Sequence, residues 1–159
     1  MKIYHIIGGI CTGKSTLLRH LKKEIPNSVS ISIDIVRKKN PANPEKQMIS
    51  KITKKMFFCD YLFIETSGSN RMINAFLKPL KPVTIKLCAS QAEIRKRLIE
   101  RFNDPYYAEK NYWNVKSLKE VVAFNNRISV IQSDFEINTE AKSETETVEE
   151  FLEKSLIKK

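Results

Sequence analysis

Residues 8–15 read Gly8-Gly9-Ile10-Cys11-Thr12-Gly13-Lys14-Ser15, a complete G-x-x-x-x-G-K-[ST], with Thr16 directly after it. Glycines let a backbone curl until successive N–H groups face one point, where they can cradle phosphate oxygens. An apolar run at 2–7 (KIYHII) precedes the loop, and Leu17, Leu18, Leu21 and Ile25 follow it at helical spacing. The loop therefore passes from a strand into a helix N-terminus, whose partial positive charge favours anions. In that setting Lys14 reaches the β- and γ-phosphates of a triphosphate, and Ser15 ligates Mg²⁺. The chain has four glycines; Gly8, Gly9 and Gly13 lie in this loop. The fourth, Gly68, follows an apolar strand at its carboxyl end, where open α/β sheets bind ligands.

Further residues have types and spacings that suit work beside a phosphate. Asp34 and Arg37 stand three apart in Ser30-Ile31-Ser32-Ile33-Asp34-Ile35-Val36-Arg37. A carboxylate there can take a proton and a guanidinium can hold an anionic group; equally, Asp34 can cap a helical turn with Arg37 as a surface charge. Glu65 closes the apolar run DYLFIE and could hold Mg²⁺ directly or through water, although a strand ending in an acid is also ordinary. Thr66 and Ser67 follow it and could line an acceptor pocket. Arg97 and Arg101 are four apart and share one face of a basic helix over about 90–102, with Arg95 the next candidate. A solvated face, or one lying on lipid, would leave the same pattern. Tyr106, Tyr107, Tyr112 and Trp113 lie among Lys110 and Lys116; they could stack bases or simply pack a lid.

Short apolar runs alternate with amphipathic stretches, the signature of βαβ units around a parallel sheet. Strands are predicted at 2–7, 29–33, 60–65, 83–88 and 128–137. Helices are predicted at 15–25, 45–57, 70–78, 90–102, from about 117 to 126, and 145–157. A length of 159 residues suits one domain, 1–159, and 42% hydrophobic residues suffice for a packed core.

Charge is uneven. Residues 1–133 hold 24 Lys/Arg against 10 Asp/Glu, a net +14, whereas 134–159 hold 4 against 8. A basic body favours anionic partners, or reflects no more than a lysine-rich solvated surface. No run reaches the 18 or so apolar residues of a spanning helix, and the apolar start is too short for a secretory leader. Three scattered cysteines and two histidines predict neither a zinc site nor a disulfide framework, so the expectation is a cytoplasmic chain with reduced thiols and no membrane partner.

The loop, the Asp34-x-x-Arg37 pair, the strand ending at Glu65 and the basic helix together resemble the small P-loop kinases of the polynucleotide-kinase and zeta-toxin-like branch, which are similar to gluconate and shikimate kinases. Only the loop is highly specific. The resemblance implies a three-layer α/β fold with a five-stranded parallel sheet in the order 2-3-1-4-5 and a short basic lid over about 95–116. It also implies ATP and Mg²⁺ as cofactors, residues 8–16 around the nucleotide, and Ser15 and Glu65 at the metal. Relatives often carry Asp where Glu65 stands, which makes a water-mediated metal contact the easier one. By the same resemblance Lys14, Asp34, Arg37, Arg97 and Arg101 are catalytic. Asp34 would take the acceptor's proton, Arg37 would orient the acceptor, and the lid arginines would neutralise the transferring phosphoryl group. The expected reaction is γ-phosphoryl transfer to a hydroxyl on a nucleic acid, either a 5′-OH or a modified-base hydroxyl. The alternatives are a small-molecule, nucleoside or nucleotide kinase, and a P-loop binding module without kinase activity.

Overall fold

A computed structural model describes residues 1–103 and 117–155. Its strands are β1 (Lys2–Gly8), β2 (Ser28–Ser32), β3 (Tyr61–Glu65), β4 (Val83–Cys88) and β5 (Phe135–Asn138). All pair in parallel, in the order β2-β3-β1-β4-β5. Parallel neighbours need crossovers. The connecting helices are α1 (Lys14–Glu24), α2 (Ile33–Lys39), α3 (Pro44–Lys55), α4 (Arg71–Leu77), α5 (Gln91–Asn103) and α6 (Leu118–Ser129), with α7 (Glu144–Ser155) after the last strand.

Side-chain alternation along the strands builds a core on each face of the sheet. Tyr4, Ile6 and Phe63 pack with Leu17, Leu18 and Leu21 of α1 and with Val148, Phe151 and Leu152 of α7. The rings of Tyr4, Phe63 and Phe151 lie 5.6–5.9 Å apart, centroid to centroid. On the other face Ile3, Leu62 and Ile64 meet Met48, Ile52, Ile73 and Leu77. These are the three layers expected. A smaller cluster joins Cys11 to Ile94, Leu98 and Val121, so the loop after β1 rests on α5 and α6.

Two elements differ from their prediction. No helix was expected over Ile33–Lys39, where α2 is too short to display a helical period and buries only Ile33 and Val36. The strand expected over 128–137 starts only at Phe135, because α6 continues to Ser129. Ile128 is buried as a helical residue, whereas Val130, the next apolar position in the alternation, is exposed. Asp134 then sets the register with β4: its N–H donates to Thr84 O at 2.9 Å, and its carboxylate accepts from Thr84 N at 2.6 Å. The expected lid falls partly on α5; its remainder, with Tyr106, Tyr107, Lys110, Tyr112, Trp113 and Lys116, lies outside the described residues. Among the described residues no helix is long and apolar enough to cross a membrane.

Candidate active site

The loop is built by backbone demands that glycine meets. Gly8 has φ +152°, and a Cβ there would sit 2.6 Å from Leu87 O of the neighbouring strand. Gly13 has φ +90° and caps α1, accepting from Leu17 N at 3.0 Å. Cys11 is left-handed without being glycine, at φ 63°, and its burial in the small cluster offsets that strain. Lys14 folds back over the loop and donates from Nζ to Gly9 O at 2.6 Å. Burial pulls its pKa down, while Glu65 and Asp34 oppose the shift.

Glu65 stands at the carboxyl end of β3, 2% exposed. Its Oε1 accepts from Ser15 Oγ at 3.1 Å, and its Oε2 has no hydrogen-bond partner among the described residues. Burial pushes the carboxyl up; the nearby Lys14 ammonium and the Ser32 and Ser15 hydroxyls hold it partly down. An orphaned buried carboxylate oxygen beside a serine hydroxyl is a donor set that suits a hard cation. Mg²⁺ takes few protein oxygens and completes its shell with phosphates and water, so these two residues fit it.

A cavity of about 450 Å³ opens at the carboxyl ends of β1 and β3. The loop residues through Ser15 line it, and so do Asp34, Arg37, Glu65, Thr66, Ser67 and Arg101. Asp34 sits in the first turn of α2 and accepts from Arg37 Nη1 at 2.8 Å. A second cavity, of about 390 Å³, lies on the other side of the loop between Thr16, Arg97, Arg101, Thr139 and Lys142. Arg101 lines both. Arg97, expected at the phosphates, lines the second cavity and not the first, and its guanidinium is committed to protein. Nε donates to Glu93 at 2.7 Å, Nη1 to Cys11 O at 3.1 Å and Thr139 Oγ1 at 2.9 Å, and Nη2 to Thr139 O at 2.7 Å.

No protein-family model matches the chain, and no curated protein matches it in sequence. Solved structures do. The tunicamycin resistance protein of Deinococcus radiodurans aligns with TM-score 0.70 over 97% of this chain and 95% of its own, at 16% identity. Shikimate kinase from Bacteroides thetaiotaomicron aligns with TM-score 0.69 over 98% and 99%, at 12% identity. A chain of the Pnkp1/Rnl/Hen1 RNA repair complex aligns with TM-score 0.57 over 80% of this chain and 45% of its own, at 15% identity. The fold is that of the small P-loop kinases. The neighbours do not single out the polynucleotide-kinase branch.

Several residues around the site were not singled out from the sequence. Glu120, Phe124 and Arg127 line the first cavity from α6. Their spacing, four and then three, puts them on one helix face. The Arg127 guanidinium lies 5.8 Å from the Phe124 ring centroid. The spacing was visible, but a mixed face of acid, ring and base reads equally as solvated surface. Asn125, next to Phe124, accepts from Ile10 N at 2.8 Å and donates to Ile10 O at 3.0 Å. On β1 the buried His5 pairs through Nε2 with Thr66 Oγ1 at 2.8 Å, and that hydroxyl also accepts from Gly68 N at 2.9 Å. Neither pairing has a local sequence signal, since each partner lies more than 60 residues away.

Proposed function

We propose that the protein is an ATP- and Mg²⁺-dependent kinase, one domain over residues 1–159, that transfers the γ-phosphoryl group to a hydroxyl. The observation that carries this reading is one cavity lined at once by Lys14, Ser15, Glu65 and the Asp34–Arg37 pair. The loop amides and Lys14 would bind the triphosphate, with Lys14 leaving Gly9 O for the phosphates. Ser15 and Glu65 would hold Mg²⁺, which when bound supplies positive charge against the phosphates. Asp34 would take the proton of the acceptor hydroxyl as its oxygen bonds the γ-phosphorus and the bond to the β-phosphate bridging oxygen breaks, leaving ADP. Arg37 both orients Asp34 and faces the acceptor. Arg101, at the join of the two cavities, would neutralise the transferring group while the nucleoside lies in the second cavity. Arg97 acts as a strut for the loop and not as a phosphate ligand.

For the acceptor, the net +14 of residues 1–133 and the Asp34-x-x-Arg37 pair support a nucleic-acid hydroxyl. One observation favours the second reading, a small-molecule or nucleotide acceptor: about 450 Å³ shared with the phosphates is the size of a small-ligand site. The scattered, odd cysteine count supports a cytoplasmic location. The test is incubation with γ-labelled ATP and separate pools of oligonucleotides, nucleosides and sugars. Label on an oligonucleotide end supports the first reading and label on a small hydroxyl the second. Label that stays in ATP leaves a binding module and rejects the kinase.

A further inference from the structure

The carbonyls of three successive loop residues are each held by a donor from a different element. Ile10 O accepts from Asn125 Nδ2 of α6 at 3.0 Å, Cys11 O from Arg97 Nη1 of α5 at 3.1 Å, and Thr12 O from Thr139 Oγ1, just after β5, at 3.2 Å. Thr139 is itself fixed, since its N–H donates to Cys88 O at 2.9 Å. In a trans peptide the C=O of one residue and the N–H of the next point in opposite directions. Drawing carbonyls 10, 11 and 12 outward therefore turns the N–H groups of Cys11, Thr12 and Gly13 inward, and these three residues line the cavity. Gly9 O faces the opposite way, toward Thr12 Oγ1 at 3.0 Å and Lys14 Nζ, so Ile10 N points out to Asn125 Oδ1.

We infer that Asn125, Arg97 and Thr139 form an outer collar of positioning residues that sets the curvature of the phosphate loop, and that Asn125 is the reason residue 9 is glycine. The inference rests on the loop being a nucleotide site. The second part has its own support. Gly9 is not left-handed, so its φ alone does not forbid a side chain. Yet a Cβ there would lie 2.2 Å from Asn125 Oδ1 and 2.5 Å from Asn125 Cγ, and its three nearest atoms all belong to Asn125. The amide clamp needs the space that glycine leaves. The clamp also joins the loop to α6, whose neighbouring Phe124 and Arg127 line the first cavity, so one helix positions both sides of the site.

Wild type, Gly9→Ala, Asn125→Ala and the double variant are compared by titration with Mg-ATP and by thermal unfolding without nucleotide. Losing both bonds of the clamp should weaken Mg-ATP by about tenfold in Asn125→Ala. Gly9→Ala should lower the unfolding midpoint and weaken Mg-ATP at least as much, because the added methyl displaces Asn125. The double variant should match Asn125→Ala alone, since the clashing atoms are gone. Thr139→Val keeps the side chain's shape and should weaken Mg-ATP several-fold (about 3–10) by freeing Thr12 O. An equal Gly9→Ala defect in both backgrounds overturns the collar, as does wild-type Mg-ATP affinity in Asn125→Ala. If wild type itself does not bind Mg-ATP, the nucleotide reading falls, and the collar stands or falls on the four midpoints alone.

Discussion

Asp34 and His5 separate the chemistry of the site from its support. Asp34 faces the cavity paired with Arg37, so Asp34→Asn keeps shape and hydrogen bonding but cannot take a proton. Turnover is expected to fall about 10²–10⁴-fold with Mg-ATP affinity little changed, read from steady-state rates beside a binding titration. A parallel collapse of affinity would make Asp34 a structural or metal residue. His5, 5% exposed, is pushed down to about 4 by burial. The unfolded chain therefore takes up this proton at higher pH than the folded one. Stability is full above about 6.5, the value of a free imidazole, falls as pH drops toward 4, and levels off below that. The slope is at most ~1.4 kcal/mol per pH unit, for a total of about 3 kcal/mol. Urea unfolding across that range should show this decline in wild type and a clearly shallower one in His5→Gln. Equal slopes would mean that His5 titrates normally in the folded chain.

Among the elements, α6 holds the loop through Asn125, and where this helix ends was not legible. Apart from the short α2, strands and helices up to α5 follow from period and punctuation, since each buries an apolar face that the sequence displays. Asp34, Arg37 and Glu65 could be placed because they stand at the ends of such runs. The end of α6 could not, because Ile128-Ser129-Val130-Ile131 reads equally as strand. A distant lysine caps the helix end. Lys86 of β4, 8% exposed at its side chain, donates from Nζ to Ser129 O at 2.7 Å and Ile131 O at 2.9 Å and pairs with Glu136 at 2.6 Å. Lys86→Met fills similar volume but leaves those carbonyls unpaired. It is expected to cost about 2–4 kcal/mol in urea unfolding and to weaken nucleotide binding through the clamp on Ile10. A stability loss near zero would show that the carbonyls find water at no cost. Arg97 teaches the same lesson in reverse: its helix spacing was legible, but Cys11 O and Thr139, which claim its guanidinium, come close only in the folded chain.

At the scale of the whole molecule, the parallel sheet in the order β2-β3-β1-β4-β5 brings the loop, Asp34 and Glu65 to one edge, as the resemblance to small P-loop kinases led one to expect. Charge at this scale bears on the acceptor. Binding of a single-stranded oligonucleotide should weaken with salt at a log–log slope near −0.7 per phosphate contact, and Arg37→Ala should make that slope shallower. A flat profile with efficient phosphorylation of nucleosides or sugars would move the acceptor to the small-molecule class. Transfer itself is tested most directly by following γ-label from ATP to an acceptor hydroxyl with wild type and Lys14→Ala side by side. Label is expected on the acceptor with wild type, and at least ~10³-fold slower transfer with a folded Lys14→Ala protein. Near-native transfer by Lys14→Ala, or label that never leaves ATP with wild type, would contradict the kinase reading.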